Sequence, residues 1–334
     1  MIEEVSKIKE VVSGLPTDIK IQGQQIAIST DSEHALIGRI VWYTITEMIV
    51  PIDALAELFK KYNIPREYFP KEPRAVDCFK NAVAKYAQKH LEYLFTDEVI
   101  VENGKQKRNS HTKYLVNREK DPNSNALPII AMWSFDPDTE TIVSQLIDKS
   151  KQEIYTHIDS EIKALYDTLR THFFEKDIRD MVRYILYRTY AISMRDKGTI
   201  YFVPIEYNDL IVSLSKLVAE LNKYIATTKS ECVTIPVIRT DELRDLVIVK
   251  YEEEVLTEIE KMLKDITEIL HDPTVKLTPS EYKQFTDKLN HYNKLKAKYD
   301  EQLSYQSKKV ETQLDVLVKQ LEALIFNDKV KPEK

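Results

Sequence analysis

A short run of strand-forming residues, 199–204, interrupts a chain whose apolar residues otherwise recur mainly at helical spacing. The run reads Thr-Ile-Tyr-Phe-Val-Pro. It follows Gly198, and Pro204 closes it because proline cannot donate to a strand ladder. The stretches before it, about residues 138–193, and after it, residues 207–226, have a helical pattern. This strand constrains the fold most, since it must find backbone partners elsewhere in the chain.

The next β-branched run is the expected partner of this strand. It covers residues 232–238 and reads Cys-Val-Thr-Ile-Pro-Val-Ile, so it predicts a small sheet beneath the central helices. Pairing with the N-terminal sheet is the alternative. The residues expected to act as the structural pivot are Gly198, Tyr201, Phe202 and Pro204.

Composition disfavours several classes of protein. Only five of the 334 residues are glycine, which argues against doubly wound and barrel enzymes because their phosphate loops and tight turns use glycine. The net charge of −6 gives no global attraction to nucleic acid or to an anionic membrane. Two distant cysteines, Cys78 and Cys232, indicate a reducing compartment. We therefore expect a cytoplasmic protein with no membrane contact.

The sequence shows no catalytic motif. It holds no glycine-rich phosphate loop, no Gly-x-Ser-x-Gly elbow and no His-Glu-x-x-His helix. The seven histidines form no ligand set by spacing; they are His34, His90, His111, His157, His172, His271 and His291. We expect no metal and no cofactor. A non-enzymatic role is favoured over the alternative, an enzyme whose site is gathered from distant residues.

Residues 38–135 are predicted to form a small α+β module. Its predicted elements are a strand at residues 39–46, helices at about 52–62 and 74–91, a β-hairpin at 97–117 and a strand at 127–135. The hairpin contains Asn-Gly, a strong turn signal. We expect the last strand to close a sheet beside the first.

This order of elements is that of a winged-helix unit, which binds DNA with its second helix and its hairpin tip. Residues 51–117 hold 12 Lys and Arg against nine Asp and Glu. The candidate nucleic-acid-binding residues are Lys80, Lys85, Lys89, Lys105, Lys107 and Arg108. Their contacts with phosphate would weaken with salt. The other interpretation is that these lysines only keep an exposed edge soluble.

Residues 136–240 are predicted to be a helical middle region with short strands at 199–204 and 232–238. Asp136 and Pro137 are expected to begin its first long helix as N-cap and first helical residue.

The next predicted helix, about residues 176–194, interleaves arginines with tyrosines. These residues are Arg179, Arg183, Arg188, Tyr184, Tyr187 and Tyr190. Such side chains can hold nucleic acid or an acidic partner. The alternative is a helix flank whose arginines pair with Asp177 and Asp180.

Residues 241–326 are predicted to form an antiparallel helical hairpin with coiled-coil character. Thr278 and Glu281 form a capping box at the start of its second helix. That helix is expected to continue to Phe326, over about 70 Å, because no proline or glycine follows Pro279. The seam expected to contact a partner or another copy comprises Phe285, Leu289, Tyr292, Tyr299, Leu303, Val310, Leu317 and Leu321.

The predicted fold class is therefore α+β and predominantly helical, with small antiparallel sheets, long helices and a C-terminal antiparallel coiled-coil hairpin. The predicted regions are a weakly patterned N-terminal segment at 1–37, the module at 38–135, the middle at 136–240, the hairpin at 241–326 and a charged tail at 327–334.

Three parts of the sequence carry a resemblance. They are the Trp42-Tyr43 strand, the helix with Val50, Ile52 and Leu55, and the run Gly198-Thr199-Ile200-Tyr201-Phe202-Val203-Pro204. With them, about two thirds of the chain resembles an uncharacterised family of prokaryotes and their viruses, although Lys197-Gly198 stands where that family often has Gly-Gly. The resemblance implies a prokaryotic or phage setting, with the host cytoplasm as the location if the protein is viral, and no particular activity.

We accordingly expect a non-enzymatic binding or scaffold protein of a prokaryote or phage, acting through protein–protein contacts of residues 241–326. The alternative is a nucleic-acid-binding protein that uses residues 51–117.

Overall fold

The computed structural model describes residues 19–22, 25–28, 36–102, 105–117, 127–195, 199–225 and 228–332. These residues form an α+β fold in which helix predominates and the sheets are small and antiparallel, which confirms the predicted fold class. Three predicted features lie outside the described residues: a possible helix at residues 2–12, the Asn-Gly turn at 103–104, and Gly198.

The chain contains short strands and longer helices. The strands are β1 (Ile19–Gln22), β2 (Gln25–Ile28), β3 (Leu36–Thr44), β4 (Ile49–Pro51), β5 (Leu94–Glu102), β6 (Lys105–Val116), β7 (Ile129–Asp136), β8 (Thr141–Leu146), β9 (His172–Phe174), β10 (Ile192–Ser193), β11 (Ile200–Pro204) and β12 (Glu231–Ile238). The helices are α1 (Ile52–Lys61), α2 (Ala75–Lys89), α3 (Gln152–Thr171), α4 (Glu175–Arg188), α5 (Asn208–Leu221), α6 (Asp241–His271), α7 (Pro279–Leu303) and α8 (Lys308–Phe326).

These elements divide into two compact units. The bundle unit comprises the described residues of Met1–Glu47, Leu58–Tyr68 and Arg179–Lys334. The meander unit comprises the described residues of Met48–Glu57 and Phe69–Ile178.

The pivot strand β11 lies in a sheet of the bundle unit with the order β10-β11-β3-β12. It pairs with β3, not with residues 232–238, which form β12 on the far side of β3. The expected direct pairing is thus wrong, and the alternative pairing with the N-terminal strand is the one found. Gly38 permits this close approach, because a Cβ there would lie 2.3 Å from the Val203 carbonyl oxygen.

The pivot side chains contribute to the core of this unit. Phe202 is fully buried and packs with Ile37, Ile192 and Val237 of the sheet against α6, α7 and α8. Tyr201 and Pro204 lie on the same strand. The sheet and the helices therefore share one hydrophobic core.

The C-terminal region is a bundle of three helices rather than the predicted hairpin of two. The expected helix to Phe326 ends at Leu303, because Ser304 adopts a left-handed conformation with φ 48°. A new helix then begins at Lys308, where the Ser307 hydroxyl accepts a hydrogen bond from the Val310 N–H at 3.3 Å. The break was not apparent in the sequence because neither glycine nor proline marks it.

The meander unit contains a four-stranded antiparallel sheet with the order β5-β6-β7-β8. Helices α2 and α3 pack on one face of it around the fully buried Trp133, whose indole N–H donates to Asp159 at 3.0 Å. β7 pairs with β6 and β8, so the expectation that it lies beside β3 is wrong. A separate pair, β4 and β9, completes the strands of the unit.

The predicted helix start at Asp136 and Pro137 is also wrong. The Asp136 carboxylate accepts hydrogen bonds from the Asp138 N–H at 2.9 Å and the Thr139 hydroxyl at 2.8 Å. These bonds stabilise a turn instead of a helix, and the chain returns as β8 before α3 begins at Gln152.

Candidate functional site on helix α6

The predicted partner seam lies inside the bundle. Tyr299, Leu303, Val310, Leu317 and Leu321 are buried in the core shared by α6, α7 and α8. The other seam residues pack half-buried against that core; they are Phe285, Leu289 and Tyr292. The seam therefore stabilises the chain itself.

The basic residues of α2 do not share one face. Lys85 and Lys89 are about one turn apart, whereas Lys80 and Lys85 are about 140° apart around the helix axis. The Lys85 ammonium lies 4.2 Å from the ring centroid of Phe174, so it also covers an aromatic side chain of its own unit.

Lys105, Lys107 and Arg108 are exposed near the start of β6. Here β6 pairs only with β5, since its ladder with β7 begins at Thr112. The three cations therefore lie on a two-stranded arm that extends beyond the four-stranded sheet. This is not a winged-helix unit, because the predicted first strand, β3, belongs to the other unit and the hairpin continues into a meander.

The arginines of α4 make contacts typical of a helix flank. Arg183 lies 3.6 Å from Asp180, and Arg179 donates to the Ile45 carbonyl at 3.2 Å. Tyr187 stacks on His291 with ring centroids 4.0 Å apart. Most of the predicted Arg–Tyr surface thus has partners within the bundle unit.

Helix α6 has a second apolar stripe that the sequence patterns did not single out. Its core side carries Val255 and Ile259, both fully buried. On the opposite side, Leu243, Leu246 and Val249 are 37%, 46% and 48% exposed. Their spacing of three residues places them on one face of the helix. That spacing was the available signal, but the sequence does not show which of two apolar stripes faces the core.

The same face continues into a cavity of about 400 Å³. The part of α6 from Leu243 to Lys261 spans about 27 Å, so the stripe and the cavity lie end to end along the helix. The cavity is lined by Ser193, Arg195, Lys250, Glu253, Glu254, Thr257, Glu258, Lys261 and Tyr292. We call this combined surface the α6 face.

Helix α6 is acidic over this stretch, although the cavity lining itself holds three Glu and three Lys or Arg. Residues 241–261 hold eight Asp and Glu against three Lys and Arg. All three cations already have partners: Arg244 donates to the Leu303 carbonyl at 2.7 Å, Lys250 lies 2.6 Å from Glu253, and Lys261 pairs with Glu258.

Glu254 belongs to neither of these ion pairs. Its carboxylate accepts a hydrogen bond from the backbone N–H of Ser193. Burial raises the pKa of Glu254, and the Ser193 N–H partly opposes that effect. A cationic group placed in the cavity would lower the cost of keeping this carboxylate charged.

The described residues hold no group of three or more His, Cys, Asp or Glu side chains arranged to bind a metal ion. Within that same part of the chain, no helix has both the length and the apolar character that crossing a membrane requires. The arrangement on α6 is thus one of apolar contact and charge.

Comparison with known proteins identifies a family. The profile of a family of unknown function, DUF6744, matches residues 36–330. No curated protein and no solved structure matches the chain.

Proposed function

We propose that the chain, which belongs to the DUF6744 family of unknown function, is a protein-binding protein whose α6 face receives an amphipathic helix with basic residues. The observation that carries the proposal is the continuity of an exposed apolar stripe with a cavity that contains the half-buried Glu254, both on one side of the acidic helix α6.

The apolar part supplies affinity. Leu243, Leu246 and Val249 keep between a third and a half of their surface exposed. Covering them would contribute about 1 kcal/mol each from the area removed from water. An amphipathic helix is the natural complement, because its own apolar residues recur at the same three- and four-residue spacing.

The acidic part supplies selectivity. A Lys or Arg side chain of the partner would reach Glu254 in the cavity while its apolar residues cover Leu246. A partner helix with acidic flanks would instead meet like charges along residues 241–261, which is unfavourable.

A peptide titration tests this proposal. The probe is a fluorescein-labelled helix of Leu and Lys with its leucines on one face, and the control probe replaces each Lys by Glu. We expect the Leu–Lys peptide to bind, the Leu–Glu peptide to bind far more weakly, and Leu246→Asp to reduce the affinity at least tenfold. Val316→Asp, which alters a similarly exposed apolar residue on α8, should leave it unchanged. If Leu246→Asp and Val316→Asp bind the Leu–Lys peptide with equal affinity, the proposal is refuted.

A second candidate function, nucleic-acid binding, is favoured by the projecting arm of β5 and β6. Its cations Lys105, Lys107 and Arg108 are exposed, and contact with phosphate would be electrostatic. Replacing all three with Ala should weaken binding of DNA or RNA and reduce its salt dependence. The triple variant of Lys308, Lys309 and Lys319 removes the same charge from α8 and serves as control. Unchanged affinity in the arm variant would exclude this surface.

A further inference from the structure

The two edges of the meander sheet differ in their protection against pairing. Edge strand β5 carries Asp97 and Glu98, and charges on an edge discourage the addition of another strand. Edge strand β8 reads Thr-Ile-Val-Ser-Gln-Leu, with no charged residue, proline or glycine. By sequence alone, β8 is the edge suited to accept another strand.

The register with β7 shows which backbone groups of β8 point outward. The Ile147 N–H donates to the Ile130 carbonyl at 2.9 Å, toward β7. Because hydrogen-bonding direction alternates along an antiparallel strand, the N–H and C=O groups of Ile142, Ser144 and Leu146 point away from β7. Within the described part of the chain, no other segment hydrogen-bonds to these backbone groups.

The side chains of β8 also favour an added strand. Val143 and Ile147 are 49% and 47% exposed, and Gln145 is exposed between them. On the other face, Ser144 accepts a hydrogen bond from the Tyr155 hydroxyl of α3 at 3.0 Å. The strand is therefore held firmly by its own unit while one edge and part of one face stay open.

We propose that β8 pairs antiparallel with β8 of a second copy of this chain, about a two-fold axis at Ser144. In this register Ile142 lies opposite Leu146 of the second copy, and Val143 lies opposite Gln145. The outward groups of Ile142, Ser144 and Leu146 then match one another and form about six main-chain hydrogen bonds. The two sheets become one sheet of eight strands.

Charge supports a copy of the same chain as the occupant. The uncharged strand places no like charges opposite each other. Exposed Asp138 precedes β8 and exposed Lys149 follows it. An antiparallel arrangement brings Asp138 of one copy toward Lys149 and Lys151 of the other, where the charges attract. It also brings Glu140 opposite Asp148, but Glu140 already pairs with Arg170 of its own copy at 2.7 Å.

Sedimentation equilibrium on three forms of the full chain tests this register. Wild type should sediment as a dimer. Val143→Lys with Gln145→Lys puts lysine opposite lysine in the proposed pairing and should give a monomer. Val143→Lys with Gln145→Glu puts lysine opposite glutamate at the same two exposed positions and should restore the dimer.

Two results would overturn the proposal. One is a wild type that stays monomeric at its highest soluble concentration, and the other is a dimer that persists in both double variants. Equal loss of the dimer in both variants excludes the Ser144 register. Circular dichroism of each variant confirms that the exposed substitutions leave the fold intact. Because Leu246→Asp lies in the other unit, its effect on peptide binding is independent of these results.

Discussion

Tyr251 of α6 and Tyr299 of α7 stack with ring centroids 5.0 Å apart and planes inclined by only 7°. Both rings are buried in the bundle core, yet their hydroxyl groups differ. The Tyr299 hydroxyl donates to the Tyr190 carbonyl at 3.0 Å, whereas the Tyr251 hydroxyl has no hydrogen-bond partner among the described residues. Because both rings are packed but only one hydroxyl has a partner, comparing the two residues separates the effect of ring packing on stability from that of a buried hydrogen bond.

Removing each hydroxyl should have a different effect on stability. Tyr299→Phe loses a buried hydrogen bond and leaves a carbonyl without its donor, so we expect a loss of about 1 kcal/mol. Tyr251→Phe removes a buried polar group that has no partner and should be neutral or stabilising. Urea unfolding of the two variants makes the comparison. If Tyr251→Phe loses more stability than Tyr299→Phe, the hydrogen bonds assigned to the two hydroxyl groups are wrong.

The seam residue Leu317 should act through stability alone. Because Leu317 is fully buried within the bundle, Leu317→Ala should cost about 3 kcal/mol through lost packing and a cavity. Its neighbour Val316, 37% exposed, is the matched control, and Val316→Ala should cost well under about 1 kcal/mol. Thermal unfolding measures both. If Leu317→Ala and Val316→Ala lose a similar amount of stability, Leu317 is not buried in the bundle core.

The start of α7 depends on its capping box. The Thr278 hydroxyl accepts from the Glu281 N–H at 3.3 Å, and the Glu281 carboxylate accepts from the Thr278 N–H at 2.7 Å. Thr278→Ala should therefore cost about 1 kcal/mol. Thr312→Ala, at an exposed position inside α8, should change stability by less than about 0.5 kcal/mol. Guanidinium unfolding measures the free energy of unfolding of both variants. An equal change in Thr278→Ala and Thr312→Ala would exclude a capping role for Thr278.

His291 should make stability depend on pH. Burial, with the nearby Arg188 and Lys294, lowers the pKa of His291 to about 4, against about 6.5 in an unfolded chain. The unfolded state then binds the proton more readily, so this stabilisation is present above about pH 6.5 and is lost as the pH falls toward about 4. His291→Phe should reduce the dependence between about pH 6.5 and about pH 4.

Urea midpoints of wild type and His291→Phe across that range provide the measurement. Carboxylates titrate in both proteins, so the difference between the two curves isolates His291. Parallel curves would show that the imidazole is not buried in its neutral form. Phenylalanine keeps an aromatic ring beside Tyr187 and Tyr190, which both stack on His291.

Local signals predicted some elements well. The capping box at Thr278 and Glu281 involves only residues three apart, and it is present. The β5–β6 hairpin follows from two alternating segments around a turn signal. By contrast, the Ile142–Leu146 spacing in β8 fits a helix as well as a strand, and only pairing with β7 decides between them.

The candidate site was harder to predict for a related reason. Leu246 and Val255 both belong to helical apolar patterns, and the packing of α7 and α8 determines which pattern is buried. The cavity beside Glu254 also needs Ser193 and Tyr292, which are distant in sequence. Such an arrangement depends on tertiary contacts, which spacing within one helix does not contain.

The most direct test of the proposed function is to map where the Leu–Lys peptide binds. A photoreactive benzoyl group on its apolar face, followed by proteolysis and mass spectrometry, identifies the contacted residues. We expect crosslinks within residues 243–261, their loss in Leu246→Asp, and their persistence in Val316→Asp. Crosslinks confined to α8 or to the β5–β6 arm would contradict it.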